Sequence, residues 1–350
     1  MAGGAGTRLW PMSTKAQPKQ FQKLMGDKSL FQMSIERLRP TFSYQDIFVA
    51  TNQAYKNLIV RQTPKIPKQN IILEPAKRDT APCIALAIAK IALADPRDTV
   101  SVLTSDHLIK KEKNLTRALT LAEKFLKENP EYLVTLGIKP DYPALGYGYI
   151  KVKSQKLKVK NIYQVESFKE KPDLKTAQRY LKSKKYFWNS GMFVWKVETI
   201  LAEFKRHQPS IYRRLVKIQK SLGTKREKKT IQKEYPKMKK ISIDYGIMER
   251  AKKIASIPVD LGWSDVGNWA ALKDILSKEK GNLVKGQYLG IETQGSLIYG
   301  PKNKLIATLG LKNMVIVATD KVILICPKEK AQEVKKIVEK LEKEKKQKYL

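Results

Sequence analysis

Near its start the chain carries closely spaced glycines, an arginine and a lysine, the residue types that handle phosphate. Gly3-Gly4-Ala5-Gly6 is a short glycine-rich loop, Arg8 follows it, and Pro18-Lys19 supplies a second cation. Glycine lets backbone N–H groups approach phosphate oxygens with no Cβ in the way. Arginine grips a phosphate through a fork of donors, and lysine acts as a point charge. The spacing is not that of a P-loop, because no Gly-Lys-Ser/Thr follows. Nor is it the dinucleotide fingerprint, whose third glycine is missing. Taken singly, Arg8 and Lys19 also read as surface charges in so lysine-rich a chain. Carboxylates form the complementary set. Asp106 follows the apolar run Val100 to Leu103, where it can bind a metal ion, make a structural hydrogen bond or cap a helix. Asp265 can bind a metal or cap the helix expected near Asn268. Glu170 and Lys171 end a β-rich run stopped by Pro172, either as a strand-terminal ion pair or as ligands. His107 and His207 are too few for a multi-histidine metal site, and His107 reads as a structural neighbour of Asp106.

The run Ala2-Gly3-Gly4-Ala5-Gly6-Thr7-Arg8-Leu9-Trp10-Pro11, followed by Pro18-Lys19-Gln20-Phe21, closely resembles the signature of the nucleotide-sugar pyrophosphorylases. Its Trp-Pro and Lys-Gln-Phe elements are similar to those of the bacterial mannose-1-phosphate guanylyltransferases. Further matches follow in family order to Leu272. They are Glu74 to Pro82, Thr104 to His107, Gly146 to Ile150, Glu170 to Asp173, Trp188 to Phe193, Ser242 to Tyr245 and Gly262 to Trp269. The resemblance implies a Mg²⁺-dependent reaction of GTP with mannose 1-phosphate to give GDP-mannose and pyrophosphate. It implies that Ala2, Gly3, Gly4, Gly6, Thr7, Arg8, Arg78, Thr80 and Ser105 hold the nucleotide. Arg8, Lys19 and Asp106 would be catalytic, and Asp106 and Asp265 would hold the metal. Gly146, Tyr147, Gly148, Glu170, Lys171, Asn189, Gly191 and Asp244 would hold the sugar phosphate, with Glu170 on hydroxyls and Lys171 on the phosphate. A homodimer is also implied.

The chemistry suits these residue types. The attacking phosphate is already an anion, so no general base is needed, and the transfer is expected to be in line without a covalent intermediate. The obstacle is the meeting of two polyanions, which calls for cations and backbone donors. Two rivals stand beside this reading: a dTTP- or UTP-dependent glucose-1-phosphate nucleotidyltransferase, and an inactive basic binding protein on the same fold. The sequence departs from the family at Ala144-Leu145, where Glu-Thr is usual, at Lys169, where an apolar residue is usual, and at Asp79, where Asn is usual. The family has an apolar strand before its glycine loop. Met1 stands at the loop itself, and a start further upstream is expected. The longer bacterial relatives continue into an isomerase domain; none is expected here, nor isomerase activity.

The elements that must position these groups are legible as strand–helix–strand alternation. Ile47 to Ala50, Val100 to Leu103 and Tyr132 to Ile138 read as strands. Between the first two, Asp79 or Thr80 can cap a helix with Pro82 in its first turn. The alternation predicts a Rossmann-like α/β domain with a mixed, mostly parallel sheet, whose ligands bind beyond the strand ends. Ser210 to Lys240 reads as charged surface helices. After residue 280 the texture changes to short β-rich runs: Tyr288 to Ile291, Ser296 to Tyr299, Leu305 to Leu309, Met314 to Ala318 and Val322 to Cys326. They predict a β-helix fragment. Val334, Ile337, Val338 and Leu341 then give an amphipathic helix. The expected division is a catalytic domain at 1–280 and a β-rich domain at 281–350.

The bulk composition bounds the rest. A chain of 350 residues with 42% hydrophobic content buries an ample core. No run reaches the roughly 18 apolar residues of a membrane span, and the opening is not a secretory signal. Two cysteines, Cys83 and Cys326, make no disulfide framework or zinc spacing. A cytoplasmic enzyme with no membrane partner is expected. The formal net charge of +36 comes from lysines spread along the whole chain. With no RNA-binding aromatic signature or helix-turn-helix pattern, no specific nucleic-acid partner is expected.

Overall fold

The computed structural model describes residues 1–4, 6–157, 161–277 and 281–350. Ala5 of the glycine loop and residues 278–280 at the expected domain junction lie outside them. In chain order the helices are α1 (Leu30–Glu36), α2 (Lys56–Gln62), α3 (Thr80–Ile91), α4 (Glu112–Glu128), α5 (Leu174–Ser183), α6 (Val197–His207), α7 (Pro209–Gln219), α8 (Glu227–Glu234), α9 (Trp269–Leu276) and α10 (Val334–Lys343). The strands are β1 (Val49–Asn52), β2 (Ile71–Glu74), β3 (Thr99–Val102), β4 (Leu108–Ile109), β5 (Leu133–Ile138), β6 (Gly148–Lys156), β7 (Tyr163–Glu170), β8 (Tyr186–Lys196), β9 (Ile254–Pro258), β10 (Trp263–Ser264), β11 (Leu283–Lys285), β12 (Gln287–Ile291), β13 (Leu297–Tyr299), β14 (Leu305–Leu309), β15 (Met314–Ala318) and β16 (Ile323–Pro327). The chain forms two compact units. The first is Met1–Gly3, Ile35–Thr104 and Ile109–Trp263; the second is Gly4–Ser34, Ser105–Leu108 and Ser264–Leu350.

The first unit is built on a six-stranded sheet of order β3-β8-β5-β9-β7-β6. Side chains alternate between two buried faces, as the period of two requires. Leu133, Phe193, Trp195 and Ile254 join one core with α3, α6 and α7. Val134, Val194 and Ala255 join another with α4. On α4, Leu115, Ala118, Leu119, Ala122, Phe125 and Leu126 are buried, one stripe at helical spacing. The sheet is mixed, as expected, but its share of parallel pairs is smaller than the alternation predicts. Within it β5 and β9 are parallel, while β3–β8, β5–β8, β6–β7, β6–β8 and β7–β9 are antiparallel. The cause is the insertion of β8 between β3 and β5, so strands separated by a helix in sequence are not neighbours in space. β1 and β2 form a separate parallel pair. Met1 and Ala2 attach to both groups of strands. The Met1 ammonium donates to the Leu103 carbonyl at 2.7 Å, and the Ala2 N–H to the Ala50 carbonyl at 2.8 Å. No described helix is long and apolar enough to cross a membrane.

In the second unit β11, β13 and β15 are parallel neighbours and β16 closes the sheet antiparallel. β12 and β14 pair in parallel as a second small sheet. Successive turns of chain stacked in parallel make a β-helix, the architecture expected after residue 280. Strand β11 is an addition to the expected runs. The core joins Leu297, Tyr299, Val315 and Val317 to Trp10, Trp269, Val334 and Val338. In this core the indoles of Trp10 and Trp269 find acceptors. Trp10 Nε1 donates to the Tyr349 carbonyl at 2.7 Å, and Trp269 Nε1 to the Trp10 carbonyl at 2.9 Å.

Candidate active site

In the second unit Lys19 opens the tight turn Lys19–Phe21, set by Pro18 before it. Its side chain is only 7% exposed. The stem lies against Gly6, where an added Cβ would collide with the Lys19 Cβ, and where φ is 62°. Only glycine fits both demands, so the loop and the buried lysine are one packing unit. Lys19 Nζ donates to Asp106 Oδ2 at 2.8 Å and also to the Asp265 carbonyl oxygen. Burial alone would raise the Asp106 carboxyl. The Lys19 ammonium, with His107 nearby, outweighs it and holds the group at about 2. His107 Nε2 stands 3.8 Å from Asp106 Oδ1, as a neighbour.

The turn carrying Asp265 is pinned by its own side chains. Ser264 Oγ accepts from the Val266 N–H at 3.0 Å, and Asp265 Oδ1 from the Gly267 N–H at 3.0 Å. Asn268 Oδ1 accepts from the Ala271 N–H at 2.9 Å, so Asn268 caps α9 and Asp265 is released from that role. Among the described residues no three His, Cys, Asp or Glu side chains converge on a metal-sized gap. Lys19 meets Asp106 through its carboxylate and Asp265 through its main-chain carbonyl, and aspartates of this kind suit Mg²⁺ completed by phosphate oxygens and water. Thr7 and Arg8 stand exposed on the turn after the loop, Gly4 is exposed, and Ser105 Oγ is buried with no hydrogen-bond partner.

The first unit gathers a second set. At the end of β7, Glu170 lies over Gly148, where an added Cβ would collide with Glu170 Oε2. Glycine at 148 is therefore the condition for Glu170 to lie there. Its side chain is 12% exposed, and Oε2 is buried without a hydrogen-bond partner. Burial, then the nearby Asp244, push the Glu170 carboxyl up to about 7, although Lys171 pulls the other way from 3.6 Å. Asp244 Oδ1 accepts from Asn189 Nδ2 at 2.8 Å, and Asn189 Oδ1 accepts from the Gly191 N–H at 3.2 Å. Burial raises the Asp244 carboxyl as well. Asn189 is thus a hub between strand and turn, and Asp244 is bound into the set. Tyr147 packs edge-on against Trp188 and Trp263, with ring centroids 5.1 and 5.0 Å away. Gly146 lies in an exposed loop.

The segment Glu74 to Thr80 joins this unit through other contacts. Thr80 Oγ1 accepts from the Ile243 N–H at 2.8 Å, and the Arg78 carbonyl from the Ile241 N–H at 3.3 Å. These bonds tie the start of α3 to the segment that ends in Asp244. Arg78 Nε is buried without a partner. Asp79 has φ 68° and ψ −174°, a backbone region that glycine alone adopts freely, and it caps α3 by accepting from the Thr80 N–H at 2.7 Å. Ala2 has its backbone N–H and carbonyl taken by Ala50 and the Thr51 hydroxyl, while Gly3 lies beside the Glu74 carboxylate.

Two residues, Thr135 and Tyr235, escaped the reading of the sequence, and Glu74 was named there only as the start of a segment. Glu74 is buried at the carboxyl end of β2 and accepts from the Tyr235 hydroxyl. Thr135, fully buried in β5, donates to Asn189 Oδ1 at 3.3 Å. A lone threonine inside the apolar run Leu133 to Ile138 was a usable signal; nothing marked Tyr235.

Comparison with known proteins accords with this geometry. Residues 1–281 match the model of the nucleotidyl transferase family, and residues 286–341 match the mannose-phosphate isomerase/GMP-like β-helix domain. The chain is 37% identical over 361 residues to mannose-1-phosphate guanylyltransferase 2 of Escherichia coli O157:H7, covering 100% of this chain and 74% of that protein. It is 39% identical over 355 residues to the mannose-1-phosphate guanylyltransferase RfbM of Salmonella typhimurium, covering 100% and 73%. A crystal structure from Thermus thermophilus, described as a mannose-1-phosphate geranyltransferase, superposes with a TM-score of 0.89 at 32% identity over 98% of both chains. A nucleotidyl transferase match over residues 1–281, a β-helix match after it and relatedness over the whole of this chain lead to one assignment: this chain belongs to the mannose-1-phosphate guanylyltransferase family of nucleotidyl transferases.

Proposed function

We propose that this chain transfers a guanylyl group from GTP to mannose 1-phosphate, giving GDP-mannose and pyrophosphate. The observation that carries the reading is the buried Lys19 ammonium on the ionised Asp106 carboxylate, beside a glycine loop. Asp106 and Asp265 would hold Mg²⁺, which when bound supplies positive charge to the phosphate oxygens. Lys19 and Arg8 neutralise the polyphosphate, and the loop N–H groups donate to its oxygens. Asp106 remains a carboxylate at any working pH because Lys19 holds it there. On the acceptor side, Glu170 and Asn189 orient sugar hydroxyls, and the exposed Lys171 meets the sugar phosphate. The phosphate oxygen of mannose 1-phosphate attacks the α-phosphorus of GTP, the bond to the β-phosphate bridging oxygen breaks, and pyrophosphate leaves with the electron pair. Residues 1–280 would perform the transfer and 281–350 form the β-helix unit, in the cytoplasm.

A panel of GTP, UTP and dTTP, each with mannose 1-phosphate and glucose 1-phosphate, tests this through pyrophosphate release. Fastest turnover with GTP and mannose 1-phosphate is expected. Preference for UTP or dTTP with glucose 1-phosphate, or no turnover by folded protein with any pair, would overturn it.

A further inference from the structure

The β-helix carries one residue that breaks its own pattern. Leu283, Leu297 and Val315 are partners in register, and so are Lys285, Tyr299 and Val317. Within β11 Leu283 and Lys285 share one face and Val284 takes the other, by the period of two. Leu297, Tyr299, Val315 and Val317 are buried in the core of the unit, and Leu283 packs against it. Lys285 therefore stands at the head of an inward row, where an apolar residue is called for. Burial pulls its ammonium below the ordinary lysine range, although Asp27 pulls the other way. A cation held in such a place needs an acceptor.

The acceptor lies in the loop that carries Lys19. Lys285 Nζ donates to the Lys23 carbonyl at 2.7 Å and to Tyr299 Oη at 2.8 Å, and Tyr299 Oη donates to the same carbonyl at 3.3 Å. Next to Lys23, the buried Gln22 folds the loop back on itself: its Nε2 donates to the Met12 carbonyl at 2.6 Å and to the Gln17 carbonyl at 2.7 Å. Lys19 lies between these points, with its Nζ on Asp106 and on the Asp265 carbonyl. The other end of the loop is fastened at Trp10, whose carbonyl accepts from Trp269 and whose indole donates to the Tyr349 carbonyl. The loop from Trp10 to Lys23 is thus strung between two anchors, both supplied by the stretch Ser264–Leu350 of its own unit. The exposed Lys15–Glu342 pair, at 2.9 Å, adds little. Lys19 itself sits on a turn of three residues, and a group on so short an element takes its precision from what supports it. A displacement of about 1 Å costs on the order of 10²-fold in rate. We propose that Lys285, with Tyr299, is a positioning residue for the transfer reaction: it fixes the Lys23 carbonyl, and through it the loop that presents Lys19. This role rests on the guanylyl transfer proposed above.

Hydrogen exchange and turnover of the full chain test it together. Lys285→Met keeps the stem and removes the donor. In it the amides of residues 12–23 exchange about tenfold faster, while those of β15 and β16 keep their rates. Its kcat falls about 10–100-fold with the KM for mannose 1-phosphate unchanged. Lys285→Arg, which keeps a donor, restores most of both, a recovery that a purely packing role would not give. Tyr299→Phe keeps the ring and shows the same faster exchange to a smaller degree; it decides if Lys285→Met does not fold. Lys304→Met, at an exposed lysine of the same unit, changes neither readout. Unchanged exchange at residues 12–23 in folded Lys285→Met, an unchanged kcat, or no recovery in Lys285→Arg would each overturn the positioning role. An unaltered chain that turns over no substrate pair overturns the proposed activity instead, and the exchange rates still decide whether Lys285 anchors the loop.

Discussion

Two carboxylates of this chain titrate in opposite directions, and the difference is one cation. Asp106 is held at about 2, although burial pushes it up, because the Lys19 ammonium sits 2.8 Å away inside the same unit. Glu170 is pushed up to about 7 by burial and then by the nearby Asp244, which a lysine 3.6 Å off in solvent does not outweigh. The Lys19 cluster is charge-compensated before any substrate arrives, which suits groups that must meet polyphosphate without rearranging. The Glu170 cluster is acceptor-rich and under-compensated, which suits the receipt of hydroxyl donors from a sugar. A single type of side chain thus serves two tasks, set by what surrounds it.

The largest effect expected on this contrast is Asp106→Asn. It removes the charge but keeps the shape, and should lower turnover about 10²–10³-fold, with a lower melting temperature because the buried Lys19 ammonium loses its counter-ion. Loss confined to the KM of mannose 1-phosphate would place Asp106 on the wrong side of the comparison. Next comes Glu170→Gln, expected to raise the KM for mannose 1-phosphate about 10-fold while kcat changes little, read from the same pyrophosphate assay.

The same variant has a signature in stability. Folded Glu170 binds its proton more tightly than it does unfolded. The stability it contributes is therefore present below the ordinary carboxylate range and lost as pH rises through about 7. Glu170→Gln should remove that slope, on the order of 1–2 kcal/mol after allowance for its partly solvated edge, seen in melts between pH 5 and 8. A slope unchanged in the variant would assign it elsewhere. Tyr235→Phe deletes the donor to the buried Glu74 carboxylate and should cost about 1–2 kcal/mol in denaturant unfolding. Smallest is Asp79→Asn, which keeps an oxygen to accept from the Thr80 N–H and should change stability by no more than a few tenths of a kcal/mol in the same unfolding measurement.

The sequence named most of these groups without showing how they meet. Lys19, Asp106, Glu170 and Asn189 were marked by short motifs whose flanking residues resemble one family. Hydrophobic patterning placed β5, α3 and the β-helix strands within a few residues. What local pattern cannot encode is partnership across distance: Lys19 with Asp106, 87 residues on, or Glu74 with Tyr235, 161 residues on. Nor can it encode the antiparallel entry of β8 between β3 and β5, because a strand's neighbours are chosen by the whole sheet. β12 and β14 show a further limit. Alternation in Leu305 to Leu309 separates two faces but does not say which is buried, and here the leucines face solvent.

Turnover of Lys19→Ala, followed as pyrophosphate release from GTP and mannose 1-phosphate, tests the central claim most directly. The account predicts a folded protein whose kcat falls about 10²–10³-fold, with the KM for mannose 1-phosphate within about twofold of the parent. A folded Lys19→Ala protein that turns over at near the parent rate would contradict it.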